Sequence, residues 1–278
     1  MSVEDDTLDT LFADDFGGVP GRSTAQTAMQ PGAAISDWGA STTTGLVRDR
    51  NEDAWGEFAR QLFVVADGMG GQAGGDLAAK GAVAGLISTV RAQGIDDWRS
   101  TIRRLNNQVR TACLAKGFAQ AGTAIVAAAV ADGRVSVAHV GDCRAYRLRM
   151  GHLTCLTNDH TVEAELRSAG IDVRENSRRG LPLFALTRHV GGADEKSVPD
   201  VTSFVPQPRD LLLLVSDGVS RQLRPDEIVD ICLDTAGAAG IAAELTRQAD
   251  LAGGRDNATA TVVRFGSVSG FREGGAPR

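Results

Sequence analysis

Four aspartates of this chain stand where a short apolar run meets glycine. Leu62-Phe63-Val64-Val65-Ala66 leads into Asp67-Gly68-Met69-Gly70-Gly71, and Leu211-Leu212-Leu213-Leu214-Val215-Ser216 leads into Asp217-Gly218. The run 134–140 ends in Gly141-Asp142, and Gly253-Gly254-Arg255-Asp256-Asn257 precedes the strand-like run 259–265. Apolar runs this short suit buried strands and cannot span a membrane, and the glycines let the backbone turn sharply. Taken singly, an aspartate beside glycine is an ordinary turn residue or cap. Taken together, four strand ends offer carboxylates that converge if the strands are neighbours. So many anions share a small site only when cations neutralise them, and an oxygen-only donor set favours Mg²⁺ or Mn²⁺ over zinc.

Six segments occur in order: Arg48-Asp49-Arg50-Asn51-Glu52-Asp53-Ala54, Asp67-Gly68-Met69-Gly70-Gly71, Gly141-Asp142-Cys143-Arg144, Leu186-Thr187-Arg188, Ser216-Asp217-Gly218 and Arg255-Asp256-Asn257-Ala258-Thr259. Over residues 36–265 they resemble the ordered motifs of the PP2C-type (PPM) serine/threonine protein phosphatases in their bacterial form. The resemblance implies that Asp67 bridges two Mn²⁺ or Mg²⁺ ions, that Asp217 and Asp256 hold the first, and that Glu52 and the Gly68 carbonyl serve the second. It implies a third, weaker ion at Asp142 and Asp217, and that Asp53 and Asn257 orient the ligands. Arg48 matches the phosphate-binding arginine, whose planar guanidinium grips two phosphoryl oxygens.

The implied reaction is hydrolysis of phosphoserine or phosphothreonine on a protein by water that two divalent cations activate, with no covalent intermediate, opposing a serine/threonine kinase. The alternative is a catalytically silent module that binds phosphoproteins; the presence of Asp67, Asp217 and Asp256 favours the enzyme. Some eukaryotic relatives carry a histidine, proposed as general acid, where this chain has Met69. With that histidine absent, we expect a metal-bound water to be the proton source. Gln72 and Cys143 also depart from residues frequent in the family, and neither is an implied ligand.

Cys143 to Arg149 has the C-x-x-x-x-x-R spacing of cysteine-dependent phosphatases, but no glycine lies between them and the stretch reads as strand, whereas that chemistry needs a glycine-rich loop opening a helix. His139, His152, His160 and His189 share no metal-ligand spacing and read as structural.

The chain has 278 residues, 42% of them hydrophobic and 23% charged, which supports a sizeable core and excludes wholesale disorder. A formal charge of −6 argues against a general nucleic-acid binder. The four cysteines have no C-x-x-C spacing, so a reducing cytoplasm is expected; no membrane span or signal peptide is expected.

Residues 1–34 read as a disordered acidic leader, 35–266 as the phosphatase-like domain and 267–278 as a flexible tail. Within the leader, Leu8, Leu11, Phe12 and Phe16 have the spacing of a short amphipathic helix for a partner's groove, although isolated helices this short are marginal in water. Residues 36–58 supply the first strands and the loop with Arg48 and Glu52. A small-residue helix follows over 76–90. A second, over 96–119, places Trp98, Ile102, Leu105, Val109 and Ala112 at alternating steps of four and three. Strands are expected at 124–130, 135–140, 144–149 and 153–156. Residues 158–192 read as an inserted flap, helical over 162–169. Its arginines Arg167, Arg174, Arg178 and Arg179 either steer phosphopeptides or solvate a loop. Pro225 opens a further helix, 241–251 another, and the last strand ends at Phe265. Two groups of strands, each followed by helices, predict an α+β fold: a four-layer α-β-β-α sandwich of two mostly antiparallel sheets covered by helix pairs.

Overall fold

The computed structural model describes residues 33–70, 73–95, 97–174, 180–192 and 197–267. Residues 1–32, with the leader's four apolar positions, Gln72, Arg178, Arg179 and most of the tail lie outside them, while Ala34, placed at the end of the leader, opens β1. The elements in order are β1 (Ala34–Thr43), β2 (Asp53–Phe58), β3 (Leu62–Met69), α1 (Ala73–Gln93), α2 (Trp98–Ala115), β4 (Gly122–Ala131), β5 (Arg134–Val140), β6 (Arg144–Arg149) and β7 (His152–Cys155). Then come α3 (Val162–Ser168), β8 (Asp200–Phe204), β9 (Leu211–Val215), α4 (Asp217–Ser220), α5 (Pro225–Asp234), α6 (Ala238–Leu251) and β10 (Ala258–Gly266).

Two antiparallel five-stranded sheets, ordered β1-β10-β9-β6-β7 and β2-β3-β4-β5-β8, face each other. The expected four-layer sandwich is present, and its strands show why their sequences read as unbroken apolar runs. In β3, Phe63 and Val65 pack against the other sheet, while Leu62, Val64 and Ala66 pack against α1 and α2. In β9, Leu212 and Leu214 face the middle, while Leu211, Leu213 and Val215 face the helices α4 to α6. A strand buried on both faces has no polar side to alternate with. Helix α2 buries Trp98, Ile102, Leu105, Val109 and Ala112 as its spacing predicts, and Asp97 caps it by accepting from the Arg99 and Ser100 amides. It stops at Ala115, short of the predicted 119, because Gly117 turns left-handed at φ 83°.

Two features depart from the sequence reading. The strands are not two successive groups: the chain runs β1 in one sheet, β2 to β5 in the other, then returns for β6 and β7, crosses for β8 and returns again. Strand β8 was not expected, because Asp200–Phe204 is an edge strand with only Phe204 buried and Val201 exposed, so it carries no apolar pattern.

Candidate active site

The five aspartates meet at one rim because their strands end there in both sheets. Asp53 opens β2 directly opposite Asp67 at the end of β3. Asp142 sits in the β5–β6 turn, Asp217 is the first residue of α4 straight after β9, and Asp256 precedes β10. Ser216 joins the sheets: its Oγ accepts from the Thr259 amide at 2.9 Å and donates to Asp53 Oδ2 at 2.7 Å. Thr123 Oγ1 on β4 donates to the Asp67 carbonyl at 2.8 Å.

Asn257 shapes the loop that carries Glu52 and Arg48. Its Oδ1 accepts from the Glu52 amide at 2.8 Å, and its Nδ2 donates to the carbonyls of Thr44 at 2.8 Å and Arg50 at 2.7 Å. All three of those bonds are local to one amide group, so the loop is set by a single side chain. The Gly68 amide donates to the Glu52 carbonyl at 3.1 Å. A Cβ on Gly68 would collide with the Gly75 carbonyl oxygen, so glycine lets the first turn of α1 close on the site. The same holds for Gly218, where a Cβ would collide with the Asn257 carbonyl oxygen.

Charge at the rim is strongly uncompensated. Burial, then the neighbouring Asp53, Asp217, Asp142 and Asp256, pushes Asp67 well above the usual carboxylate range, although its side chain still reaches solvent at the mouth. Burial raises Asp53 to about 7 against the hydrogen bonds from Thr259 and Ser216, and raises Asp142 to about 7 with help from Asp217. Asp217 is raised by burial, and Glu52 by burial against the pull of Arg48. Asp53 Oδ1 is buried with no hydrogen-bond partner. Two guanidiniums reach this group. Arg48 Nη2 donates to Asp256 Oδ2 at 2.7 Å, and Arg221 contacts Asp142 and Asp217.

Each residue expected at the site is therefore at this rim: Arg48, Glu52, Asp53, Asp67, Gly68, Asp142, Asp217, Asp256 and Asn257. Glu52, Asp67, Asp217 and Asp256, with the Gly68 carbonyl, are the oxygen donors that could hold divalent cations. The sequence reading missed Ser216 and Thr259 as the bridge between sheets, and it missed Arg221. The signal for Arg221 was its position four residues after Asp217, on the same helical face.

Cys143 is buried, and burial beside Asp67 and Asp142 pushes its thiol well above the usual range, which removes it as a nucleophile. His139 and His160 stack with centroids 4.6 Å apart. His160 Nδ1 accepts from the Gly141 amide at 3.1 Å and its Nε2 faces Asp200 Oδ2 at 3.2 Å, while His139 Nε2 donates to the Asn158 carbonyl at 2.8 Å. His139, His160 and Asp200 are close enough to share a metal ion, but these hydrogen bonds already engage three of the four ring nitrogens. The pair braces the turn that carries Asp142. A cleft of about 880 Å³ beside them is lined by Arg144, Asp159, His160, Glu163, Arg188 and Asp200, and includes none of the clustered carboxylates.

The family model described as Protein phosphatase 2C matches residues 32–258. The serine/threonine phosphatase Stp of Listeria welshimeri is 33% identical over 240 residues, covering 80% of this chain and 93% of that protein. The protein phosphatase PhpP of Streptococcus pneumoniae is 30% identical over 235 residues, covering 80% and 94%. The solved catalytic domain of the serine/threonine protein phosphatase PstP, in complex with two manganese ions, superposes with a TM-score of 0.70 at 28% identity, covering 83% of this chain and 98% of that one.

Proposed function

The chain belongs to the protein phosphatase 2C family, a family of metal-dependent serine/threonine phosphatases, and from that premise we propose which of its residues do the work. It is a Mn²⁺/Mg²⁺-dependent hydrolase of phosphoserine and phosphothreonine. Phosphoproteins are its substrates. The observation that supports the residue roles is the convergence of Asp53, Asp67, Asp142, Asp217 and Asp256 on one rim with more negative charge than the protein neutralises.

The donor set fits two divalent cations. Asp67 would bridge them, Asp217 and Asp256 would complete the first, and Glu52 with the Gly68 carbonyl would complete the second. When bound, such a pair supplies an activated water and neutralises charge on the phosphoryl oxygens. Asp53 faces Asp67 across the ladder and is itself held by Ser216. Asn257 fixes the Glu52 loop. Arg48, half exposed at the mouth and resting on Asp256, swings to the phosphate as a planar clamp. Met69 pairs with Gly122 in the β3–β4 ladder and carries no acid, and the ring nitrogens of His139 and His160 serve the fold. A water held at the site would then give the leaving alkoxide its proton.

A serine/threonine kinase sets the phosphorylation this enzyme removes. The four cysteines are free, which supports action in a reducing cytoplasm. Among the described residues no helix is long and apolar enough to cross a membrane.

The test is initial-rate hydrolysis of a phosphothreonine peptide titrated with Mn²⁺, with EDTA and Asp217→Asn as controls. Turnover should rise with Mn²⁺, stop in EDTA and drop at least a thousandfold in the variant. Full turnover by Asp217→Asn would remove Asp217 from the ligand set.

A further inference from the structure

Arg221 occupies an unusual place for an arginine of this rim. It follows α4 by one residue, so its side chain lies on the same face as Asp217 four positions earlier. Nη2 donates to Asp142 Oδ2 at 2.5 Å and Nη1 contacts Asp217 Oδ2 at 3.0 Å. Its outer face packs on the Phe184 ring, with the guanidinium carbon 4.5 Å from the centroid. The group is thus held on three sides, by β5–β6, by α4 and by the segment between α3 and β8. Phe184 adds a cation–π contact to one charge-assisted hydrogen bond, to Asp142, and one ion pair, to Asp217.

The Asp142–Asp217 pair is where the family resemblance implies a third divalent cation, and the residues present do not fit one. A small hard cation needs about six oxygen ligands at close range. Here Oδ2 of each carboxylate is already engaged by a guanidinium, which has donors only and repels a second positive charge. We infer that Arg221 is the resident cation of the Asp142–Asp217 pair, so that this protein takes up two divalent ions rather than three. The inference rests on the assignment of Asp67, Asp217 and Asp256 to the two-ion site.

The test counts metal. Full-length protein is dialysed to equilibrium against graded Mn²⁺, and bound manganese per chain is measured by elemental analysis, alongside a fold check by circular dichroism. Wild type should saturate at two. Arg221→Ala should saturate at three, with the third ion weaker than the first two and lost again in Arg221→Ala combined with Asp142→Asn. Arg221→Asp, which puts a carboxylate where the guanidinium was, should also reach three and serves if the alanine variant does not fold. A wild-type count of three, or folded Arg221 variants that stay at two, overturns the inference while the two-ion site stands. A wild-type count of none or one sinks the assignment of Asp67 and this inference with it.

Discussion

Asp53 stands directly opposite Asp67 in the antiparallel register of β2 and β3, and burial lifts both carboxyls above their usual range. Like charges facing each other across a ladder oppose folding. The Ser216 hydroxyl donates to Asp53 Oδ2, and Asp53 Oδ1 is buried without a partner. The pair is tolerated because cations are expected between and around it.

Replacing one of the two charges separates stability from metal binding. In EDTA, Asp53→Asn should raise the midpoint of thermal unfolding by a few degrees, a gain on the order of 1–2 kcal/mol. In saturating Mn²⁺ the variant should gain less than wild type from the metal. Differential scanning fluorimetry with and without metal reads both; a variant that melts lower than wild type in EDTA would mean that Asp53 is stabilising as a charge.

The same shifts give the metal-free protein a pH dependence of defined sign. An acid whose pKa is raised by folding binds more protons folded than unfolded, so stability falls as pH rises between the two values. For Asp53 and Asp142 that window runs from the ordinary aspartate value of 3.8 to about 7. Chelated protein should therefore lose stability on going from pH 5 to pH 7.5, by a few kcal/mol at most given the coupling among the groups. Mn²⁺ should flatten or reverse the trend, because ligation favours the ionised carboxylates. Urea melts at the two pH values, with EDTA or Mn²⁺, decide it.

Arg48 rests on Asp256 at 2.7 Å while half exposed at the mouth, which leaves it free to move to an incoming phosphate. Arg48→Ala should raise KM about tenfold for a phosphopeptide and for a small aryl phosphate alike, since both present the same phosphoryl oxygens. Arg48→Lys should recover part of the loss, because an ammonium keeps the charge without the planar fork. An effect confined to the peptide would place Arg48 on the partner's chain instead of on its phosphate.

Gly218 lets the start of α4 lie against the strand end that carries Asn257, and a methyl group there would strike the Asn257 carbonyl oxygen. Gly218→Ala should cost about 3 kcal/mol or more, since backbone must move on one side. The displaced Asn257 would carry the Glu52 loop with it. Activity should fall further than stability does; equilibrium denaturation set beside steady-state rates separates the two.

Much of this was legible along the chain. The runs before Asp67 and Asp217 are apolar without interruption because each strand is covered on both faces, by helices on one side and by the opposite sheet on the other. The glycines beside the aspartates mark turns and close approaches that only glycine permits. Strand β8 left no such mark, since an edge strand with one buried residue obeys no period that a sequence displays.

From residue types and order alone came the class of fold and the carboxylates at strand ends, and the family resemblance implied their roles. These are local properties: a buried strand needs an apolar run, a sharp turn needs glycine, and a carboxylate keeps its identity wherever the chain takes it. Tertiary structure alone decided that the chain weaves between sheets, that Ser216 couples Asp53 to β10, and that Arg221 fills the gap between Asp142 and Asp217. Those contacts join residues as far as 163 positions apart, and no period or spacing in a sequence records which distant strand becomes a neighbour.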